Sequence, residues 1–460
     1  MHSPHRIFVQ IPSYRDPQLV ATLIDLARQA SCPTDVRVVV CWQHDCDETI
    51  ARFTENGFNV AGTALVEGRH VHFLQFEGIE IELIDVPYLE TRGAGWARSV
   101  AQERCRGELY NLQIDAHHRF VQGWDIQMVE LLESVRDRSP RPLLTGYPPA
   151  FCPASYPRGR QENASVMLVD GFTAMGVVRF KAVMLPGNSQ FVSPLKARFM
   201  SGGFVFSDGK FVEEVRQDPN HFFFTEEIVM AARAYTRGYD FFHPHVPLLW
   251  HDYKSPAPEV WEDLTEELKK SGDICASADD LAHASSERAR RLLEDVLSEG
   301  PPTGERYGLG VERSLRQYER FAGLSFLIRG VHPSATVLSE PDDSYEHLSD
   351  IDWERDLICR RVLQIKVTLD APVKIAVDSV DVVMRCKAGQ ESVVRHLSQL
   401  ELSALTEGLM VEFVHVFAVP HGGLPAALLL RAQTSHVDAG EYFSISAIER
   451  PSDWKMPCSG

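Results

Sequence analysis

The chain has 460 residues, which is enough for about three domains of average size, or for one large domain with a smaller companion. Apolar residues make up 44% and charged residues 24%, a composition that excludes a largely disordered, collagen-like or coiled-coil protein. The 46 Lys and Arg against 64 Asp and Glu give a formal net charge of -18, which argues against nucleic acid or an anionic membrane as partner.

The sequence also bears on the cellular compartment. It shows neither a basic segment followed by an apolar signal region nor a run of about eighteen apolar residues, so no secretion or membrane anchoring is expected. Nine widely spaced cysteines favour reduced thiols over a disulfide framework, and we expect a cytoplasmic protein. Cys41 and Cys46 make a poor zinc site, because no second Cys/His pair follows at zinc-finger spacing.

Strand-like and helix-like patterns alternate over the first 250 residues. This alternation predicts a mostly parallel sheet with helices on both faces, whose ligands bind at the carboxyl ends of the strands. The predicted strands cover residues 6–11, 36–42, 79–86, 109–114 and 239–242, and the predicted helices cover residues 17–30, 96–104, 124–135 and 224–237.

The pattern changes twice further along the chain. Between residues 148 and 220 the periodicity weakens and Gly, Pro and Ser accumulate, which predicts a long substrate loop. Beyond residue 351 strand-like runs follow one another, with a helix only at residues 390–405, which predicts a β-rich domain. We therefore expect an α/β catalytic domain over residues 1–335 and a smaller β-rich accessory domain over residues 345–460, joined by a linker at residues 333–350.

An acid and a histidine follow the apolar strand that ends at Ile114. Side chains alternate along an extended chain, so Asp115 and His117 should point the same way and can ligate one divalent cation. His251, just past another apolar run, is the third candidate ligand. The plainer alternative is that these polar residues only solvate a strand end or cap a helix.

Several longer motifs, taken together in their order and spacing, carry a resemblance. They are IPSYRDP (residues 11–17), CWQHD (41–45), RGAGWAR (92–98), LQIDAHHRF (112–120), LLTGYPP (143–149), FTEEIVMAARAYTRGYDFFHP (224–244), WHDY (250–253) and RYGLGVERSLRQYERFAGLSF (306–326). In this arrangement the chain resembles the polypeptide α-N-acetylglucosaminyltransferases, which include the hydroxyproline-modifying enzymes. The resemblance covers roughly residues 5–330.

The resemblance implies a GT-A fold and a retaining transfer of GlcNAc from UDP-GlcNAc to a hydroxyl group. The acceptor would be Ser, Thr or hydroxyproline of a protein or peptide. A divalent cation would neutralise charge on the departing diphosphate. Asp115, His117 and His251 are its expected ligands, and because imidazole suits the hardest ions poorly, Mn2+ is favoured over Mg2+.

The loop after the first strand and two arginines are candidates for donor binding. Tyr14 can contact the uracil, and Arg15 or Asp16 can bond the base or ribose, although Asp16 can equally well cap the following helix. Arg92 and Arg98 flank a glycine-containing turn and can bind diphosphate oxygens. The complete set of predicted donor-binding residues is Pro12, Ser13, Tyr14, Arg15, Asp16, Arg92, Arg98, Asp115, Gly202 and Gly203.

Glu226 and Glu227 lie at the predicted start of a helix, where the positive end of the helix dipole favours ionised carboxylates. By the resemblance they lie beside the acceptor and the sugar, with Glu226 as the first choice for contacting substrate. Charged residues at helix starts are common without any chemistry. A front-face displacement, in which the donor phosphate accepts the acceptor's proton, would need neither residue as a base.

The alternatives to this function remain open in the sequence. The same fold could use UDP-GalNAc, UDP-Glc or UDP-Gal, and the acceptor could be a glycan or a small molecule. The chain could also be a non-catalytic sugar-binding relative. The C-terminal region could bind a protein acceptor, form a lid or mediate formation of a homo-oligomer.

Overall fold

The computed structural model describes residues 5–173, 176–187, 191–254, 257–295, 306–369, 377–386, 389–420, 425–434 and 443–450. The chain divides into two compact units. The first comprises Met1–Asp170, Phe180–Ala322 and Val337–Asp342, and the second comprises Gly171–Arg179, Gly323–Thr336 and Asp343–Gly460. No helix among the described residues has the length and apolar character needed to cross a bilayer.

Ten of the strands that precede residue 252 form one mixed sheet. In chain order, the strands described before this residue are β1 (Ile7–Tyr14), β2 (Val36–His44), β3 (Asn59–Val66), β4 (Arg69–Phe76), β5 (Ile79–Pro87), β6 (Tyr110–Ile114), β7 (His118–Phe120), β8 (Pro142–Thr145), β9 (Ser165–Phe172), β10 (Val178–Met184), β11 (Leu195–Ala197), β12 (Phe204–Asp208), β13 (Asp240–His243) and β14 (Leu249–His251).

The sheet has the order β11-β13-β8-β12-β6-β1-β2-β5-β4-β3. Its centre, β6-β1-β2-β5, is parallel, and β12 and β4 are the antiparallel strands that continue it on either side. All nine residues of β2 are buried, as expected for a central parallel strand covered on both faces. Two further pairs, β9 with β10 and β7 with β14, lie outside this sheet.

Helices cover both faces of the sheet. They are α1 (Leu19–Gln29), α2 (Ala51–Thr54), α3 (Ala94–Gln102), α4 (Trp124–Glu133), α5 (Phe211–Glu214), α6 (Thr225–Thr236), α7 (Val260–Asp263), α8 (Glu266–Ser271), α9 (Ala278–Arg290) and α10 (Leu315–Ala322). Apolar residues of α1 and α4 share one core with the sheet, whereas Trp96, Ala97 and Ala101 of α3 pack into a separate core. The predicted α/β fold class is confirmed.

One sequence interpretation of the first unit was wrong, and one hairpin was missed. The predicted long loop at residues 148–220 instead contains β9, β10, β11 and β12. Of these, β12 pairs between β6 and β8 inside the sheet, although it is only five residues long. The hairpin of β3 and β4 was not predicted, because β3 is largely exposed and lacks the apolar alternation that signals a strand.

The second unit is rich in strands. Its elements are β15 (Leu324–Ser325), β16 (Gly330–Val331), α11 (Asp350–Arg355), β17 (Ile358–Leu369), β18 (Val377–Cys386), β19 (Glu391–His396), α12 (Gln399–Thr406), β20 (Val411–Pro420), β21 (Pro425–Thr434) and β22 (Phe443–Arg450). Residues of β17, β18, β20 and α12 share one apolar core. The β-rich character predicted for the C-terminal region is confirmed.

The helix predicted at residues 390–405 is shorter than expected. Residues 391–396 form β19, and only Gln399–Thr406 is helical, beginning where Ser398 and Glu401 form a reciprocal capping box. One of the strand-like runs beyond residue 351 covers residues 373–383, and its first residues lie outside the described residues. The predicted linker contains two short 3-10 helices, Pro333–Thr336 and Asp343–His347.

Candidate active site

The predicted site residues gather at the carboxyl ends of the central parallel strands. Asp115 follows the last residue of β6, His117 precedes β7, and His251 ends β14. Antiparallel pairing of β14 with β7 sets His251 opposite His118, which brings it beside His117. One potential ligand atom from each of Asp115, His117 and His251 lies within 4.8 Å of the others.

The chemistry of this trio fits a divalent cation. The two Nε2 atoms of His117 and His251 face each other at 3.0 Å, and His251 Nε2 lies 3.6 Å from Asp115 Oδ2. Two imidazole nitrogens and one carboxylate oxygen within 4.8 Å of one another form a donor set that suits Mn2+ better than an ion that binds only oxygen. Within the described ranges, these residues are the one such group of three.

The charge states of the trio follow from their neighbours. Burial opposes protonation of His117, but hydrogen bonding with Asp16 outweighs it and raises the pKa of this imidazole. Burial opposes ionisation of Asp115, but hydrogen bonding with His251 and the Arg98 guanidinium hold the pKa of this carboxyl well below its usual value. Burial lowers the pKa of His251 and so favours a neutral imidazole. An ionised carboxylate and a neutral imidazole are the forms that bind metal.

Asp16 contacts a candidate ligand rather than open solvent. Its Oδ2 lies 2.6 Å from His117 Nδ1, and its Oδ1 accepts a hydrogen bond of 2.7 Å from the backbone N–H of Gln18, just before α1. The sequence interpretation had assigned it to the base or ribose, with helix capping as the alternative. Both of its carboxylate oxygens are occupied within the protein.

Arg98 is fully enclosed and lies between two acids. Its Nη2 donates to Asp115 Oδ1 at 2.9 Å, and its Nη1 lies 3.4 Å from Glu226 Oε1. Arg98, predicted from the sequence to bind diphosphate, thus connects the trio to the acidic pair. Arg92, the other predicted diphosphate ligand, is exposed.

Gly202 and Gly203 pack directly against these charged groups. A Cβ on Gly202 would lie 3.1 Å from Arg98 Nη1, and a Cβ on Gly203 would lie 2.6 Å from Asp115 Oδ2. The side-chain hydrogen of glycine is therefore required here for close approach. The backbone N–H of Gly202 also donates to Glu227 Oε1 at 2.8 Å.

The two acids at the start of α6 have different surroundings. Glu227 accepts hydrogen bonds from the backbone N–H of Gly202 and, at 2.7 Å, from the hydroxyl of Tyr147. Glu226 meets Arg98 through one oxygen, while its other oxygen, Oε2, is buried without a hydrogen-bond partner among the described residues. Glu226 Oε2 is therefore an acceptor atom that the described residues leave unused.

Burial and the neighbouring Glu226 raise the pKa of Glu227 to about 7. Between about pH 4.5 and pH 7, Glu227 is therefore protonated in the folded protein but ionised in the unfolded chain. Its contribution to the free energy of unfolding is fully present below about pH 4.5 and is lost as the pH rises through 7. The loss amounts to about 3 kcal/mol. We expect Glu227→Gln to remove this contribution. Urea unfolding of the unaltered protein and of the variant at pH 5 and pH 8 measures the difference. An equal change in the free energy of unfolding between the two pH values in both proteins would contradict the assignment.

The predicted donor loop is held by a residue that the sequence did not single out. Asp263, at the end of α7, accepts hydrogen bonds from the Tyr14 hydroxyl at 2.7 Å and from Arg15 Nη1 at 2.6 Å. Arg15 also pairs with Asp45 and lies over the ring of Tyr88, 4.5 Å from its centroid. No sequence signal marks Asp263, because its partners lie about 250 residues away in the chain.

Pro12 and Ser13, two of the predicted donor-binding residues, lie near the end of β1. Ser13 is buried, and its backbone carbonyl accepts a hydrogen bond from Gln43 in the neighbouring β2.

Tyr147 is a second residue that sequence reasoning missed, although it lies in the LLTGYPP motif. Its hydroxyl holds Glu227, and its own pKa is raised by burial and by that carboxylate.

Several solved structures show a low similarity to this chain. A crystal structure of GalNAc-T7 with UDP, GalNAc and Mn2+ is 12% identical with a TM-score of 0.41, covering 68% of this chain and 54% of that one. Staphylococcus aureus TarS, residues 1–349, is 12% identical with a TM-score of 0.32, covering 63% of this chain and 73% of that one. The mannosyltransferase PcManGT from Pyrobaculum calidifontis, with GDP-Man and Mn2+, is 12% identical with a TM-score of 0.33, covering 64% and 74%.

The chain spans about half the length of the GalNAc-T7 structure. Among curated proteins, none matches its sequence. The model of one protein family matches residues 6–328, which is more than half of the chain and contains every residue of the site described above. The chain belongs to the Glycosyltransferase (GlcNAc) family.

Proposed function

We propose that the protein transfers GlcNAc from UDP-GlcNAc, with retention of configuration, to a hydroxyl group of Ser, Thr or hydroxyproline in a protein or peptide, as a member of the polypeptide GlcNAc-transferases. The observation that carries this proposal is the convergence of Asp115, His117 and His251 next to Arg98 and Glu226. Family membership supports the transferred sugar.

In this proposal Mn2+, or Mg2+ as the weaker choice, is held by Asp115, His117 and His251. The cation would supply positive charge that offsets the negative charge of the departing diphosphate. Arg98 keeps the Asp115 carboxylate ionised and in place through their hydrogen bond. Exposed Arg92 is the arginine that remains free to approach a diphosphate.

The donor and acceptor groups meet different parts of the site. Tyr14 and Arg15, held by Asp263, form the surface for the uridine. Glu226 Oε2 accepts a hydrogen bond from the sugar or from the acceptor hydroxyl, while Glu227 is retained by Gly202 and Tyr147. The proton of the acceptor passes to a phosphate oxygen of the donor in a front-face displacement, so neither acid serves as a nucleophile.

A panel of nucleotide sugars tests the reaction. With Mn2+ and an acceptor mixture of proteins and peptides, we expect UDP release from UDP-GlcNAc to exceed that from UDP-GalNAc, UDP-Glc and UDP-Gal, and mass spectrometry to show one added N-acetylhexosamine per site. Preference for another UDP-sugar, or transfer to a glycan or small molecule only, would replace the donor or the acceptor in this proposal. Absence of turnover with every donor and metal would indicate a non-catalytic relative.

An aromatic cluster at the start of α6 supports an acceptor surface beside Glu226. Phe224 is 63% exposed and has a φ of 63°, a conformation that side-chain-bearing residues rarely adopt. Trp261, 41% exposed, lies 6.3 Å from the Phe224 ring and 5.1 Å from the Phe223 ring. Exposed aromatic rings beside an acidic pair, one of them on a strained backbone, are suited to binding a substrate group.

We expect Trp261→Ala to raise the KM for the acceptor about tenfold, because an aromatic contact contributes about 1 kcal/mol beyond its buried area. The slow hydrolysis of donor without acceptor should not change. The matched control is Leu65→Ala, which removes an exposed apolar side chain on β3 at the far edge of the sheet. An unchanged acceptor KM would exclude Trp261 from acceptor binding.

The proposal also assigns the chain to two domains. Residues 1–335 would form the catalytic domain and residues 345–460 an accessory domain that binds the acceptor or joins two copies of the chain.

A further inference from the structure

We propose that Asp16 is a positioning residue of the metal centre: its carboxylate fixes which nitrogen of His117 carries the proton, so that Nε2 presents a lone pair to the cation. The inference deepens the proposed metal-dependent function and rests on it. It assigns to Asp16 a role different from the donor contact that the sequence suggested, and it concerns a group that does not itself touch metal or substrate.

The hydrogen bond between Asp16 and His117 determines the form of the imidazole. An ionised carboxylate can only accept hydrogen bonds, so Nδ1 of His117 must donate across the 2.6 Å that separates it from Asp16 Oδ2. In the neutral imidazole, which carries a single proton, a proton on Nδ1 leaves the other nitrogen as an acceptor. That nitrogen, Nε2, is the atom that faces His251 Nε2 at 3.0 Å and lies in the metal trio.

Asp16 is itself held in a single orientation. Its side chain is buried, with the residue only 4% exposed, and its second oxygen accepts the backbone N–H of Gln18 at 2.7 Å. The guanidinium of Arg52 donates to its backbone carbonyl at 2.7 Å. Because both ends of the residue are fixed, the direction of the carboxylate is set before any ligand binds.

The second histidine of the trio lacks such a partner. His251 Nδ1 is buried without a hydrogen-bond partner among the described residues, and its ring is held by packing against Tyr253 and His117, with centroids 4.2 Å and 4.5 Å away. Asp16 is therefore the carboxylate that orients a candidate imidazole ligand through hydrogen bonding, whereas His251 is oriented by ring contacts.

Two substitutions of the same residue separate this role from a general loss of structure. In Asp16→Asn, the amide oxygen can still accept from Gln18, which leaves the amide NH2 facing His117 Nδ1. That nitrogen must then accept, so the proton moves to Nε2 and the ligand atom is blocked. In Asp16→Ala, the imidazole is free to adopt either form. Asparagine should therefore impair metal binding more than alanine does, although it is the smaller structural change.

The experiment is a titration of the metal-free protein, with its whole chain, with Mn2+ alone. Electron paramagnetic resonance measures the concentration of free Mn2+ at each step and so gives the affinity. We expect Asp16→Asn to weaken binding at the upper end of about 10–100-fold, and Asp16→Ala to weaken it less. The matched control is Asp85→Asn, since Asp85 also accepts from two histidines, His44 and His72, at 2.9 Å and 3.1 Å, outside the trio. Its Mn2+ affinity should equal that of the unaltered protein.

Nitrogen-15 NMR of histidine gives a second readout that needs neither metal nor activity. We expect the His117 resonances to show the Nδ1-protonated form in the unaltered protein and the Nε2-protonated form in Asp16→Asn. Equal Mn2+ affinity of Asp16→Asn and the unaltered protein, or a loss in Asp16→Ala as large as in Asp16→Asn, would overturn the inference. Failure to transfer GlcNAc alongside the predicted affinities would reject only the donor assignment, whereas an unaltered protein that does not bind Mn2+ would reject the metal centre and with it the inference.

Discussion

Exchange of Asp115 for asparagine should lower kcat/KM by about a thousandfold, since loss of a charge-stabilising cation costs several kcal/mol in the transition state. Asparagine keeps nearly the same shape, so Arg98 can still donate to the oxygen that it reaches at 2.9 Å. The ligand trio loses its one negative charge, however, and two neutral imidazoles with an amide bind Mn2+ weakly. The expected defect is therefore one of metal binding with an intact fold.

This result is checked by steady-state kinetics across a range of Mn2+ concentrations, with thermal unfolding as the test of structure. Asp47→Asn provides the control, because Asp47 is an exposed carboxylate beyond the end of β2. It should match the unaltered protein in both measurements. Full metal-dependent turnover in Asp115→Asn would remove Asp115 from the proposed ligand set.

Substitution of Gly203 by alanine should have the second largest effect, a loss of about a hundredfold in kcat/KM, the scale that follows when a reacting group is misplaced by about 1 Å. The added Cβ would lie 2.6 Å from Asp115 Oδ2, a distance at which one of the two groups must move. Arg98 holds the other oxygen of the same carboxylate, so the whole group shifts or rotates away from the histidines.

Gly62→Ala is the matched control for this substitution, because a Cβ at Gly62 meets no atom within 4 Å. We expect its activity and Mn2+ affinity to be unchanged. In Gly203→Ala, the Mn2+ affinity should fall together with kcat/KM. A variant that loses turnover but binds Mn2+ normally would show that Gly203 acts on the substrate and not through Asp115.

The central strands and helices were predictable because their residues carry regular apolar patterns. The predicted strand at 36–42 and helix at 124–135 agree with β2 and α4 to within two residues at each end. Two members of the trio could be predicted from the sequence for the same reason, because Asp115 and His117 follow a buried strand. Their proximity to His251 depends on the β7 and β14 pair, whose three-residue strands give no periodic signal.

Contacts that join distant parts of the chain could not be predicted from local pattern. Asp16 and His117 are 101 residues apart, and the sequence around Asp16 is equally compatible with a nucleotide contact or a helix cap. Arg98 looked free to bind phosphate because nothing in RGAGWAR indicates that two carboxylates enclose its side chain. The residues that support the site are thus harder to recognise than those that face its centre.

The distance along the chain between His117 and His251, 134 residues, has a consequence for biosynthesis. A ribosome that has made β6 and β7 has released two of the proposed metal donors, but the third emerges only after α6, β13 and β14 have followed. Closing so long a segment is entropically costly, and the cation cannot repay that cost until the sheet is nearly complete. Metal capture would therefore mark the end of assembly for this unit and would not guide its first steps.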